Sequence, residues 1–384
     1  MEVMRVRTTD GRIRYYLAGE DGFPVEPVRK YLRFKDNVGY ARNTLRMHCV
    51  HLKLYFTYLS ERGKDYKRIS IDDIAGFAGW LRNPHARNKK VVPIRFEPER
   101  VPQTVNKAVD AVISFYDYLV RHDEYENDLP EKLVKFIRTP GRNYRGFLAG
   151  IAENRAVRSH ILKLIEPQRQ VKVITKESVV ELLRATTNLR DYFLLYLLFE
   201  TGFRIGEALS LWLEDFDISE NKIQLKDRGE LENQAEIKSV ASPRILDITQ
   251  DLADLFMKYV CTYHACDTKT NHVFIKIGGA EAGKAMTYAN VDNVFRTLRD
   301  KTGIAVTPHV FRHTSLSLLH SAGWLAELLR KRAGHKNIYT TINTYVHPSD
   351  EEMAEVFHKT ASTLKAPYVC ISDDQGDWGV RGDE

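Results

Sequence analysis

The chain has little cysteine, four residues in 384, and they are scattered. A small disulfide scaffold needs a far higher density, so the pattern excludes one and fits a reducing cytoplasm. Cys261 and Cys266 bracket "CTYHAC", which resembles half of a metal site. It lacks a second ligand pair, so a structural role is the better reading and no metal is expected. Long apolar runs are also missing. "YFLLYLLF", Tyr192 to Phe199, falls far short of the roughly 20 residues a membrane helix needs. No charged-then-apolar leader, internal repeat or long low-complexity tract is visible. Nothing marks the cluster of three carboxylates that a metal-dependent transposase requires.

Charge of one sign is not in large excess. The formal net charge is +6 and the pI is near 8.9, which alone does not establish a nucleic-acid partner. Its distribution says more. From Lys132 to Lys172 there are ten Lys or Arg against two acids, with Gly and Pro interspersed. Such a stretch reads as a basic linker lying on a polyanion, and it implies salt-sensitive binding. A solvated loop and helix is the plainer alternative.

What is present is mostly helical. Residues 1–25 read as a short hairpin with a "DG" turn. In "ARNTLRMHCVHLKLYFTYLSERG", Leu45, Cys49, Leu52, Phe56 and Leu59 form one helical stripe, with Thr44 near its start. "SIDDIAGFAGWLRN" is a second helix capped by Ser70. "TVNKAVDAVISFYDYLVRH" is a third, capped by Thr104. Arg42, Arg46, Lys53 and Lys107 lie near these helices and could touch phosphates, as could Arg138, Arg142 and Arg145 in the basic stretch. For each one singly, an ordinary solvated face is as good a reading.

The character changes near Val173. A capped amphipathic helix and a more apolar one precede "KIQLK", "QAEIKSV" and "PRILDIT", three short strands of one small antiparallel sheet. Helices resume at "DLADLFMKYV". The fold class is therefore mainly α (α+β). The expected organisation is a hairpin extension (1–25), a helical domain (26–137), a basic linker (138–172), a mostly helical domain with a small sheet (173–365) and a loose acidic tail (366–384). Two domains joined by a basic strap could clamp a duplex.

The second domain carries polar residues with no obvious structural task. Arg204 lies in an apolar helical stretch, and a buried Arg needs a partner. Glu207, three residues on, could hold it. Lys238 lies near the turn between two strands, where a solvent-exposed Lys is ordinary. "TPHVFRHTSLSLL" starts a helix with Thr307 as cap and Pro308 at the first position. Its first turns add His309, Arg312 and His313 to an end whose dipole is already positive, which suits an anion such as phosphate. His335 follows Gly334 at a helix end, and Tyr345 stands in "INTYVH". Each signal is weak alone.

Their order is not weak. T-G-x-R-I-x-E, a hairpin Lys, H-x-x-R-H, G-H and then T-Y-V-H together resemble the tyrosine recombinase (integrase) family over about Val173 to Leu364. Residues 26–130 are similar to that family's core-binding domain, and transposase A and related mobile-element integrases are the branch it resembles. The resemblance implies that Tyr345 attacks a DNA phosphodiester, forms a 3′-phosphotyrosyl bond and releases a 5′-hydroxyl. Arg204 and Arg312 clamp the non-bridging oxygens, Lys238 protonates the leaving oxygen, His309 accepts or relays the tyrosine proton, and His335 bonds a phosphate oxygen. Glu207 and His313 steady these groups.

Two assignments stay open. Tyr339 rivals Tyr345, which is preferred because Val346-His347 follows it; Lys226 rivals Lys238. No ATP, metal or other cofactor is implied. The implied partners are double-stranded DNA and three further copies, making a homo-tetramer on two sites, with accessory recombination proteins allowed and no membrane. After Tyr345, a helix opening with Ser349 and Glu352 carries an apolar stripe suited to packing on a neighbouring copy or on its own domain. A type IB-like topoisomerase and a DNA-binding protein of this fold without catalysis are the alternatives.

Overall fold

The structure is a computed structural model. It describes residues 1–83, 99–125, 128–137, 157–167, 172–237, 241–264, 270–338 and 341. Lys238, Tyr339, Tyr345, Arg138, Arg142, Arg145, Cys266 and the helix expected after Ser349 lie outside these residues. The chain divides into two compact units, Met1–Arg169 and Gln170–Glu384.

The first unit opens with the hairpin of β1 (Glu2–Arg7) and β2 (Ile13–Ala18), paired from Glu2↔Ala18 to Arg7↔Ile13. Helices α1 (Glu26–Asn37), α2 (Arg42–Glu61), α3 (Ile71–Arg82), α4 (Pro102–Arg121) and the short α5 (Leu129–Leu133) follow. All five residues of the α2 stripe are buried, and Cys49, Leu52, Phe56 and Leu59 share a core with Val105, Val109, Val112, Phe115 and Leu119 of α4. Ser70 caps α3 in a reciprocal box with Asp73. Two starts differ from expectation. α4 begins at Pro102, whose fixed φ suits a first helical position, so Thr104 sits inside the first turn. α2 begins at Arg42, so Thr44 is likewise internal.

Part of the stretch expected as a linker is built onto this unit. β3 (Val134–Ile137) pairs antiparallel with β4 (Val157–His160), and Leu162 and Leu164 then pack against the helical core. Asn106 on α4, only 2% exposed, fastens the chain there. Its amide donates to the Leu164 carbonyl (3.0 Å) and the Glu166 carboxylate (2.7 Å), while its oxygen accepts from Leu164 N (2.9 Å). A buried amide so fully satisfied is stable where an unsatisfied one is costly.

The second unit is helical around a three-stranded sheet. α6 (Lys176–Arg184) and α7 (Leu189–Thr201) are capped by Thr175 and Asn188. α7 buries Phe193, Leu194, Leu195, Leu197 and Leu198; with apolar residues on nearly every side, it is the central helix. After α8 (Ile205–Leu209) come β5 (Phe216–Asp217), β6 (Lys222–Leu225) and β7 (Arg244–Asp247), antiparallel in that order. Helices α9 (Gln250–Tyr263), α10 (Tyr288–Thr302), α11 (Pro308–Ser321) and α12 (Ala326–Ala333) complete the described part.

The sheet corrects one expectation. Residues 234–237 of "QAEIKSV" form no strand, and Phe216–Asp217 supplies the third one. Gln234 has a φ of 65°, and the Asn233 amide reaches the Leu209 and Met286 carbonyls. These bonds draw the segment onto α8 instead of along β6. "CTYHAC" supports its structural reading at His264, whose Nε2 bonds the Val273 carbonyl at 2.9 Å.

Candidate active site

α7 ends at Gly202, whose φ of 65° lets the chain turn sharply. Arg204 follows as the residue before α8, and Glu207 turns back on it. One carboxylate oxygen accepts from Arg204 N (3.0 Å) and the other from Arg204 Nη1 (2.8 Å). Arg204 Nη1 also lies near the Ala333 (3.3 Å) and Gly334 (3.4 Å) carbonyls and Ser242 Oγ (3.5 Å).

α11 delivers the second guanidinium. Thr307 caps it by accepting from Val310 N, and Arg312 points inward one turn later. Its Nη1 donates to the Gly202 carbonyl (2.6 Å) and its Nη2 to the Ala333 carbonyl (2.6 Å). Its Nη2 also lies 3.0 Å from His335 Nε2. Burial, with Arg312 and Arg204 nearby, pushes the His335 imidazole down to about 3, so it is neutral at neutral pH. Arg312 can only donate, so His335 Nε2 accepts and Nδ1–H donates to Thr341 Oγ1 at 2.9 Å. His313 packs edge-on against His309 with centroids 4.8 Å apart. Burial, then His309 and Arg312, push His313 down to about 4. His309 is exposed on the first turn of α11.

The third guanidinium is Arg244 on β7, which the motif did not flag. Its Nη2 lies 3.0 Å and its Nη1 3.4 Å from the two Glu207 oxygens. Its Nε donates to the Arg332 carbonyl (2.7 Å) and its Nη1 to the Ser242 carbonyl (2.6 Å). A signal was present: Arg244 shares the inward period-two face with buried Leu246 and Ile248. An Arg in that register needs an acid.

Glu207 is therefore enclosed by three cations, Arg312 Nη1 standing 3.8 Å from it. Burial pushes its carboxyl up, but Arg244, then Arg312 and Arg204, overcome this and hold it at about 2. Three guanidiniums against one carboxylate leave two positive charges in excess. The Arg312 and Arg244 side chains are 2% and 8% exposed, and Arg204 is the open one at 22%. A cleft beside Arg204 adds Lys336, Asn337 and the ion pair of Arg330 with Glu327. Uncompensated buried charge is unfavourable, and guanidinium forks match a phosphate in shape, so the arrangement suits a bound phosphate.

The structure thus brings Arg204, Glu207, Arg312 and His335 together, with His309 and His313 on the same helix as Arg312. Lys226 is held elsewhere: its Nζ is 3.7 Å from Asp215, which Arg228 also grips at 2.6 and 2.9 Å. In the first unit, Arg46 and Lys107 are exposed and Lys53 is half-buried. Arg42 is 6% exposed, so it does not present the solvated face expected of a phosphate contact.

Gly334 is a structural requirement of this cluster. Its φ is 62°, and a Cβ there would come within 2.6 Å of Arg244 Nη1 and 3.2 Å of the Ala241 carbonyl. Gly334→Ala is expected to cost about 1–2 kcal/mol from the backbone alone, and more from displacing Arg244. Urea unfolding would show this as a lower midpoint at unchanged slope; a midpoint equal to wild type would contradict the packing described.

The Phage integrase family matches residues 172–352, and the Phage integrase N-terminal SAM-like domain matches residues 30–123. Transposase A from transposon Tn554 of Staphylococcus aureus is 34% identical over 361 residues, covering 94% of this chain and 98% of that protein. Tyrosine recombinase XerA of Saccharolobus solfataricus is 28% identical, covering 82% of this chain and 89% of its own. The fold is shared with the Tn1549 transposon integrase, solved in complex with transposon right end DNA. There the TM-score is 0.60 and the identity 15%, covering 87% of this chain and 99% of that one. The site order, the length of these matches and the shared fold lead to one conclusion: the chain belongs to the phage integrase family of tyrosine recombinases.

Proposed function

We propose that this protein cuts and rejoins DNA strands at specific sites through a 3′-phosphotyrosyl intermediate, in the integration or excision of a mobile element. The observation that carries this reading is the excess of two positive charges around buried Glu207, opened to solvent at Arg204. The Tyr345 phenol oxygen attacks the scissile phosphorus, and the bond to the 5′-oxygen breaks. His309 takes the phenol proton and Lys238 gives one to the departing oxygen. Charge gathering on the non-bridging oxygens is met by Arg204 and Arg312. The reverse attack by a 5′-hydroxyl rejoins the strand, so the bond energy is conserved and no cofactor is used.

Two pieces of geometry support the residues outside the described set. The Glu236 carbonyl lies where a Cβ on Gly206 would approach within 2.7 Å, and Ser242 reaches Arg204. In the sequence Lys238 falls between these two anchored residues, and Lys226 is held by Asp215. Thr341, four residues before Tyr345, is bonded to His335. At roughly 3.3–3.6 Å per residue, the four positions from Thr341 bound the distance that Tyr345 has to span to meet the cluster.

Arg46, Lys53 and Lys107 of the first unit, with Arg138, Arg142 and Arg145, are proposed to contact the DNA backbone. Four copies acting on two duplexes in the cytoplasm, with or without accessory proteins, complete the proposal. The test is covalent trapping on a nicked duplex carrying the ends of the element, in the presence of a metal chelator. A protein–DNA adduct is expected. Tight binding to those ends with no adduct, even with host extract added, would leave a DNA-binding protein without catalysis.

A further inference from the structure

Glu207 is faced by Arg204 from the start of α8, Arg244 from β7 and Arg312 from α11, with His335 bonded to Arg312 behind them. The cations do not hold it alike. Arg244 meets both carboxylate oxygens, at 3.0 and 3.4 Å, and also donates to the Arg332 and Ser242 carbonyls. Its side chain is 8% exposed, and the Phe203 ring lies 5.1 Å from its guanidinium carbon. Arg312 stands off at 3.8 Å, and Arg204 uses one guanidinium nitrogen beside its backbone N–H while remaining the most open of the three.

A carboxylate between two phosphate-binding arginines is a hazard as well as a support. It orients them, but it also competes with the phosphate for their charge. Without a third cation, the carboxylate would draw Arg204 and Arg312 inward and cancel one of their two charges. We propose that Arg244 is a positioning residue that neutralises Glu207 and so leaves the charge of Arg204 and Arg312 for the scissile phosphate. This rests on the reading that the cluster holds that phosphate. Arg244 touches neither DNA nor the nucleophile in this account; it acts through Glu207.

The account makes an unusual demand on double variants. Arg244→Met should slow single-turnover adduct formation by about 100-fold while DNA affinity changes by less than about threefold, since the loss falls on the transition state. Glu207→Gln alone should also slow the enzyme. Added to Arg244→Met, however, Glu207→Gln should raise the rate by about tenfold, because it removes the carboxylate that Arg244 no longer balances. The pH profile should change too. In Arg244→Met the carboxylate loses its main cation, its pKa rises, and the rate climbs as pH falls from 7 to 5; the wild-type rate does not climb there. Arg244→Lys, which keeps the charge and gives up the fork, should keep the wild-type profile.

Losses that multiply in the double variant, or an Arg244→Lys profile that matches Arg244→Met, would overturn the proposal and make Arg244 a packing residue. Should Arg244→Met fail to fold by circular dichroism, the Arg244→Lys profile with and without Glu207→Gln decides. Absence of adduct in the wild type is a different result: it would sink the strand-cleavage reading itself.

Discussion

Tyr345→Phe is expected to bind its DNA as tightly as wild type and to form no covalent adduct, a loss of about 10⁴-fold or more in cleavage rate. The substitution removes one oxygen and leaves the arginine cluster intact. Affinity comes from cations meeting phosphates, so it should be unchanged. Tyr339→Phe is the necessary comparison, since both tyrosines flank Thr341, the residue bonded to His335. That variant should still form the adduct. Quenched-flow cleavage of a nicked duplex, read beside a binding titration, separates the two quantities. Equal loss in both variants would mean that this segment is being disturbed as a whole.

The second large effect is at Arg312. Its guanidinium bridges the Gly202 and Ala333 carbonyls and His335 Nε2, and it lies 3.8 Å from Glu207. These partners come from the end of α7, the end of α12, the residue after Gly334 and α8. One planar fork thus meets four groups from three segments and still carries its charge to the phosphate. A Lys has a point charge and cannot reach three acceptors at once. Arg312→Lys should slow cleavage by about 10³-fold with a smaller loss of binding. It should also lower stability, because a buried hydrogen bond from a charged donor to the Gly202 or Ala333 carbonyl, worth about 1.5–3 kcal/mol, is lost. A thermal melt and single-turnover kinetics on the same preparation test both. Near-normal cleavage in a destabilised variant would make Arg312 a structural tie only.

The parts of the site that were legible in the sequence are those whose partners are near neighbours. Arg204 and Glu207 are three residues apart, one turn, and the pair is visible as spacing. The start of α11 is announced by Thr307 and Pro308, and the end of α12 by Gly334. The α2 stripe is legible because a helix has a period. What was missed joins distant residues. Arg244 and Glu207 are 37 positions apart, and no periodicity links a strand residue to a helix N-terminus. Asn106 and Leu164 are 58 apart, so the chain that looked like free linker is fastened by a bond composition cannot announce. The middle strand failed for a related reason. "QAEIKSV" alternates like a strand, but Asn233 ties it to Leu209 and Met286 instead of to a neighbouring strand.

The central claim is that Tyr345 becomes bonded to DNA in front of the arginine cluster, and mass spectrometry of the trapped complex tests it most directly. Trypsin cutting after Lys336 and Lys359 releases one peptide that contains both Tyr339 and Tyr345. After nuclease trimming, fragment ions should place a nucleotide phosphate on Tyr345 and leave Tyr339 unmodified. A phosphate on Tyr339, or a trapped complex whose link lies outside this peptide, would contradict the account.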